Sequence, residues 1–143
     1  MKRKERVLVS ACLVGQCCAY DGNHRRSEAV LRLGERYELI PICPECEGGL
    51  PTPRVPSERC SARVLTKDGR DVTRAYTRGA RAALSLALSE RIVFAVLKSK
   101  SPSCGKGEIY DGSFTHTLIP ENGVTAALLL SRGIPVYTEK EIE

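Results

Sequence analysis

A chain of 143 residues with 42% hydrophobic content is long enough for one domain with a buried core, and no apolar run approaches membrane-spanning length. The formal net charge of +5 is mild and marks a solvated surface rather than a polyanion binder, so a nucleic-acid partner stays open but is not favoured. Seven cysteines is an unusual and odd number. The charged start, Met1–Arg6, passes straight into the strand-like Val7–Val9 with no secretory leader. The expected compartment is therefore the cytoplasm, where thiols stay reduced and serve metal binding or thiol chemistry rather than a disulfide framework.

Val7–Val9 reads as the first strand and Ser10–Gly15 as the loop leaving it, which puts Cys12 at a strand's carboxyl end. Gln16–Arg26 is polar and irregular, with a turn signal at Tyr20–Asn23. Ser27 can cap a helix over Glu28–Leu33, and Gly34 stands where glycine commonly ends helices. Tyr37–Ile42 is the next strand, and Pro41 within it predicts a bulge or a sheet edge. Cys43-Pro44-Glu45-Cys46 ends that strand, and Glu47–Pro56, rich in Gly and Pro, is expected to be loop. Arg63–Thr66 and Asp71–Thr73 flank Lys67-Asp68-Gly69-Arg70 as a hairpin. Thr73 or Asp71 then caps a long helix to about Ser89. Its apolar positions are Tyr76, Ala80, Ala83, Leu84, Ala87 and Leu88, and Arg74, Arg78 and Arg81 share another face. Ile92–Leu97 is an apolar strand, followed by the loop Lys98–Gly107. Ile109–Thr117 reads as a short hairpin around Asp111-Gly112. Asn122 caps a helix over Val124–Ser131 ended by Gly133, and Ile134–Tyr137 is a last short strand.

Strands alternating with helices predict an α/β fold. The expectation is one domain over residues 1–143, a three-layer α/β/α sandwich on a mostly parallel sheet with a small hairpin insertion. Right-handed crossovers favour a strand order of about 2-1-3-4, which opens a switch point beside the first strand. The loops after strands one, two and three can meet there.

Each of those loops carries a cysteine: Cys12, Cys43 and Cys104. In the third, Gly105 and Gly107 permit backbone conformations closed to other residues, and Pro102 keeps Ser101 extended. Three thiols on successive strands can converge on one crevice; simple burial of small apolar thiols is the plain alternative. Three thiolates suit a zinc ion with an open position. They also suit an iron–sulfur cubane, usually held by four thiolates, in which one iron would face solvent. Cys43 and Cys46 have Cys-x-x-Cys spacing, but no second such pair accompanies them.

Several longer segments carry a resemblance. They are Ser10-Ala11-Cys12-Leu13-Val14-Gly15, Tyr20-Asp21-Gly22, Cys43-Pro44-Glu45 followed by Gly49-Leu50-Pro51-Thr52-Pro53-Arg54, Ser101-Pro102-Ser103-Cys104-Gly105, Gly123–Leu129 and Gly133-Ile134. In order and spacing, over nearly the whole chain, they resemble the thiouracil desulfidase family, small single-domain bacterial proteins. The resemblance implies a [4Fe-4S] cluster on Cys12, Cys43 and Cys104, with zinc as the lesser alternative. It implies a small thiolated heterocycle as partner: 2-thiouracil and water would give uracil and hydrogen sulfide with no net redox change. Glu45 and Ser101 fall at positions associated with catalysis in that family. Cys17, Cys18, Cys46 and Cys60 depart from its pattern, and Cys46 is near enough to Cys43 to compete as a ligand.

The residues permit a mechanism in which substrate sulfur binds an open iron while Glu45 activates the attacking water, with Ser101 and amides near Gly105 supporting the base or the oxyanion. Plainer readings stand beside it. Glu45 can cap or pair with an arginine, and Ser101 can be a turn residue. Phe114 can stack on a flat heterocycle or sit in the core, and Arg54, Arg25 and Arg26 read first as solvated charge. His24 and His116 have no evident partner. The rival function is a zinc- or cluster-holding binding module for thiolated RNA or a protein partner, which Cys46 as a fourth ligand would favour. A hydrolase using Cys104 alone needs a base that no nearby histidine supplies.

Overall fold

Period-two alternation along the first strand sets the layers. In the computed structural model, which describes residues 3–142, β1 (Arg6–Ser10) is fully buried from Val7 to Val9. The Met1-Lys2 part of the expected charged start lies outside the described residues. Val7 and Val9 pack with Leu13, Val30 and Val96, while Leu8 packs with Ala83, Ala87, Ala95, Leu97 and Leu129. A parallel strand buried on both faces needs helices above and below, hence three layers.

After β1 the chain makes a 3-10 turn, Ala11–Val14, ended by Gly15 at φ 100. α1 (Glu28–Leu33) follows, and its Val30 N–H donates to the Ser27 hydroxyl. Gly34 closes it at φ −60, right-handed rather than left-handed. β2 (Glu38–Ile42) leads into a one-turn helix, α2 (Pro44–Glu47), where the sequence reading had the start of a loop. Proline at the first helical turn explains it, since its missing N–H has no partner there anyway.

β3 (Ser57–Cys60) is unforeseen, because Ser-Glu-Arg-Cys has no apolar alternation to mark it. β3 pairs with one side of β4 (Arg63–Thr66), while the expected turn at Asp68-Gly69 brings Arg70–Val72 back along its other side, with Thr66 N–H to the Arg70 carbonyl at 2.8 Å and Val72 N–H to the Val64 carbonyl at 2.9 Å. α3 (Thr73–Ser89) has Val72 at its N-cap, with Asp71 Oδ1 accepting the Thr73 N–H from one position further out. Leu88, expected in the core, is half exposed. β5 (Phe94–Leu97) is next. β6 (Ile109–Tyr110) and β7 (Leu118–Ile119) embrace a longer loop than the expected Asp111-Gly112 turn. α4 (Val124–Ser131) is capped by Gly123, not Asn122, whose Oδ1 instead accepts the Gly107 N–H at 2.8 Å. β8 (Val136–Thr138) ends the sheet.

The main sheet is parallel with order β2-β1-β5-β8, the 2-1-3-4 order expected. Pro41 stands opposite Val9 on the edge strand β2, where its lost donor costs nothing. α3 and α4 cover one face and α1 the other. The insertion is two small hairpins, β3-β4 and β6-β7, rather than one. Among the described residues no helix is long and apolar enough to cross a membrane.

Candidate active site

Three neighbouring strands deliver their carboxyl ends to one side of the sheet, and a cavity of about 450 Å³ opens there. Cys12, in the turn after β1, Cys43, the N-cap of α2 after β2, and Cys104, in the loop after β5, all line it. Glu45 and Ser101 line it too, so the five expected site residues share one cavity.

Ser101 organises the Cys104 loop. Its hydroxyl oxygen accepts the N–H groups of Ser103 at 3.1 Å and Cys104 at 3.0 Å, and its carbonyl accepts the Gly105 N–H at 2.8 Å. With both lone pairs taken, its own hydrogen is left to donate. Gly105 is needed for space, because a Cβ there would stand 2.7 Å from the Ser101 carbonyl oxygen. Gly107 alone of the two has positive φ, at 85. Buried Ser103 and Thr125 share a hydroxyl bond of 2.8 Å that ties the loop to α4.

Glu45 is held from two sides. Its Oε2 accepts from Arg54 Nε and from the Tyr76 hydroxyl, each at 3.0 Å, and the arginine side chain is only 7% exposed. Arg54 also donates to the carbonyls of Cys18 and Pro51 and to the Thr52 hydroxyl, so it is a structural fork and not the solvated charge expected. Tyr76, read from sequence as a core position, is the residue that reading missed. Burial and the neighbouring carboxylate push its hydroxyl well above the usual tyrosine range, which keeps it a donor. Helical spacing alone cannot distinguish a core tyrosine from one whose hydroxyl reaches a site. Arg54 did carry a signal, as the last residue of the Gly49–Arg54 segment.

α2 and α3 meet with almost no space between them. A Cβ on Gly79 would stand 1.9 Å from the Pro44 carbonyl oxygen, and one on Gly48 would stand 2.0 Å from that of Ala75. This backbone contact sets Glu45 beside Tyr76.

The thiols are electrostatically uncomfortable together. Burial, then the nearby Cys104 and Cys43, push Cys12 up to about 12. Burial pushes Cys104 up to about 12 as well, and a hydrogen bond with Cys18 followed by burial raises Cys43. Three such thiols become thiolates only beside strong positive charge, which a metal centre supplies. Among the described residues no three His, Cys, Asp or Glu side chains are gathered closely enough for a single metal ion. Soft cysteine thiols of this kind are the donors that hold iron–sulfur clusters.

The extra cysteines divide. Cys46 does not line the cavity; its sulfur contacts the Thr52 hydroxyl at 3.4 Å. It nonetheless stays in contact with the Cys43 thiol, as its spacing suggested. Cys18 does line the cavity, beside Cys43, where no role was expected for it. Cys17 and Cys60 are exposed.

Known proteins share this architecture. A relative named uncharacterized protein YbbK, from Bacillus subtilis (strain 168), is 40% identical over 95% of this chain and 97% of its own. The solved structure of a [4Fe-4S]-dependent thiouracil desulfidase, TudS, matches with a TM-score of 0.92 at 46% identity, over 97% of this chain and 93% of that one. The model of 2-thiouracil desulfurase matches residues 7–141, from the first strand through the cysteine loops to the last, and the chain belongs to that family.

Proposed function

We propose that the protein hydrolyses the thiocarbonyl of a small thiolated pyrimidine, converting 2-thiouracil and water to uracil and hydrogen sulfide, with a [4Fe-4S] cluster held by Cys12, Cys43 and Cys104. The observation that carries this is the meeting of those three thiols with Glu45 in one cavity. The TudS likeness supports the same cofactor and chemistry. When bound, such a cluster supplies an iron without a protein thiolate, a Lewis acid for soft sulfur.

The chain's own residues do the rest. Both hydrogen bonds to Glu45 fall on Oε2, so Oε1 is the oxygen that takes a proton from a water aimed at the thiocarbonyl carbon. Arg54 and Tyr76 hold the carboxylate still while it does so. The Ser101 hydroxyl hydrogen donates to the added oxygen as its remaining proton leaves and negative charge develops there. Glu45 then returns that proton toward the departing sulfur and takes up the one remaining on the added oxygen as the C=O bond forms, so that both protons of the water leave with the sulfide. One C=S bond is exchanged for one C=O bond, and no electron enters or leaves. Seven free cysteines suit a reducing cytoplasm. Cys46 does not line the cavity that the other three thiols share, which favours the enzyme over the binding-module reading.

The test uses protein reconstituted with iron and sulfide without oxygen. Visible absorption and iron content report the cluster, and sulfide release on adding 2-thiouracil reports the reaction. About four irons and turnover without a reductant are expected. Glu45→Gln is expected to keep its iron and lose turnover; full activity in that variant would eliminate Glu45 as the base.

A further inference from the structure

The strand ends build only part of the cavity. Another part comes from the β6–β7 hairpin, whose Tyr110, Phe114 and His116 line the same space as the three cysteines. Its loop is closed on itself: the Asp111 N–H donates to the Thr117 carbonyl at 2.9 Å, and the hydroxyls of Ser113, Thr115 and Thr117 form a chain. The Tyr110 and His116 rings meet edge to face at 5.8 Å.

Two features show that this loop is held in one shape. Phe114 at φ 58 and His116 at φ 59 occupy the left-handed region, which side-chain-bearing residues rarely adopt and which persists only where the surroundings impose it. At Phe114 it is Glu58, on β3, that imposes it. It is 8% exposed, and its Oε1 accepts the N–H groups of both Gly112, at 3.0 Å, and Phe114, at 3.1 Å. Both amides therefore satisfy one oxygen of a buried carboxylate. Gly112 seats the loop on β3, where an added Cβ would stand 3.0 Å from that of Cys60.

We infer that the Asp111–Thr117 loop, clamped by Glu58, is the ring-recognition element of the site. Phe114 packs on the face of a flat heteroaromatic thiocarbonyl compound and so selects it over open-chain thiocarbonyls. A rigid aromatic surface gains stacking energy only from a partner with a π-face. Glu58 is a positioning residue, since it touches the loop backbone and acts through Phe114. This inference rests on the desulfuration reading above.

The test compares 2-thiouracil with thiourea, an open-chain thiocarbonyl, on cluster-loaded protein, and measures uracil binding by calorimetry on the same samples. Phe114→Ala is expected to raise KM for 2-thiouracil about tenfold, the loss typical of one ring stack, with a smaller change in kcat and a smaller penalty for thiourea. Phe114→Tyr is expected to restore KM. Glu58→Ala is expected to match Phe114→Ala, and the double variant to add nothing further, while Glu58→Gln, which still offers an oxygen to both amides, stays near the wild type. An unchanged KM in Phe114→Ala, or equal penalties for ring and open-chain compounds, would overturn the inference. If the wild type releases no sulfide from 2-thiouracil, the desulfuration reading fails by itself. Uracil binding then decides the loop: binding lost in Phe114→Ala upholds it, and binding retained there or absent from the wild type overturns it.

Discussion

Gly79→Ala probes how the fold aims Glu45. Gly79 lies inside α3 with ordinary helical geometry, so alanine suits its backbone and gains about 1 kcal/mol of helix propensity. Space is the obstacle. The new Cβ would stand 1.9 Å from the Pro44 oxygen, where ordinary contact begins at 3.4 Å, so α2 must retreat by about 1.5 Å. Overpacking of this kind costs about 1–3 kcal/mol. The net loss is then about 0–2 kcal/mol, and for a chain of this size Tm falls by up to about 8 °C. The catalytic effect is expected to be far larger. The retreat breaks the 3.0 Å bond from Tyr76 to Glu45, and a misplacement of about 1 Å can cost on the order of a hundredfold in rate. Thermal unfolding, iron content and sulfide release from 2-thiouracil, measured on the same preparation, separate the two effects. A folded, iron-loaded variant with kcat within about threefold of the wild type would refute the idea that this backbone contact positions the base.

Tyr76→Phe removes only the hydroxyl from Glu45, and kcat is expected to fall about tenfold with iron content unchanged, in line with one hydrogen bond to a charged group. Arg54→Lys keeps the charge but cannot span Glu45, Pro51, Thr52 and Cys18 at once; turnover is expected to fall by at least as much as in Tyr76→Phe, and near-normal kinetics would show that the fork is dispensable. Alanine at Cys12, Cys43 or Cys104 is expected to abolish bound iron, whereas Cys46→Ala retains it; iron lost from Cys46→Ala would reopen its candidacy as a ligand. Glu139 gives a pH test. Burial alone would raise its carboxyl, but Lys98 and the Ser99 amide and hydroxyl outweigh that and hold it below the usual carboxylate range. Its ionised form therefore contributes stability above the unfolded pKa, and that contribution is lost as pH falls through the lower folded one. The urea midpoint of Glu139→Gln is expected to lie below the wild type at pH 7 and to converge with it below about pH 4, in the carboxylate range; a gap that does not narrow in acid would count against the ionic role.

Local patterns in the chain carried much of this. Apolar runs at Val7–Val9 and Ile92–Leu97 marked the central strands, and Ser27 and the spacing from Tyr76 to Ala87 marked two helices. These signals survive because strand burial and helix amphipathicity are properties of neighbouring residues. Crossover handedness then ordered the sheet, and cysteines at strand ends pointed to one crevice. β3 was invisible because its four residues alternate in no apolar sense; its place comes from pairing with β4. The last helix is capped by Gly123 and not Asn122, whose side chain is instead taken by the Gly107 N–H, a partner far away in sequence.

What the sequence determined by itself was the order of the layers and which residues could carry the chemistry, since both follow from residue type and short-range spacing. The tertiary structure decided which of them meet. Spacing favoured Cys46 over Cys18 as a thiol near the site, and only chain packing leaves Cys46 out of the cavity lining and sets Cys18 in it. Arg54 and Tyr76 lie 9 and 31 residues from Glu45, yet both reach its Oε2 because α2 and α3 touch through two glycines. Such partners are fixed by close packing across the fold, and that is information no local pattern holds.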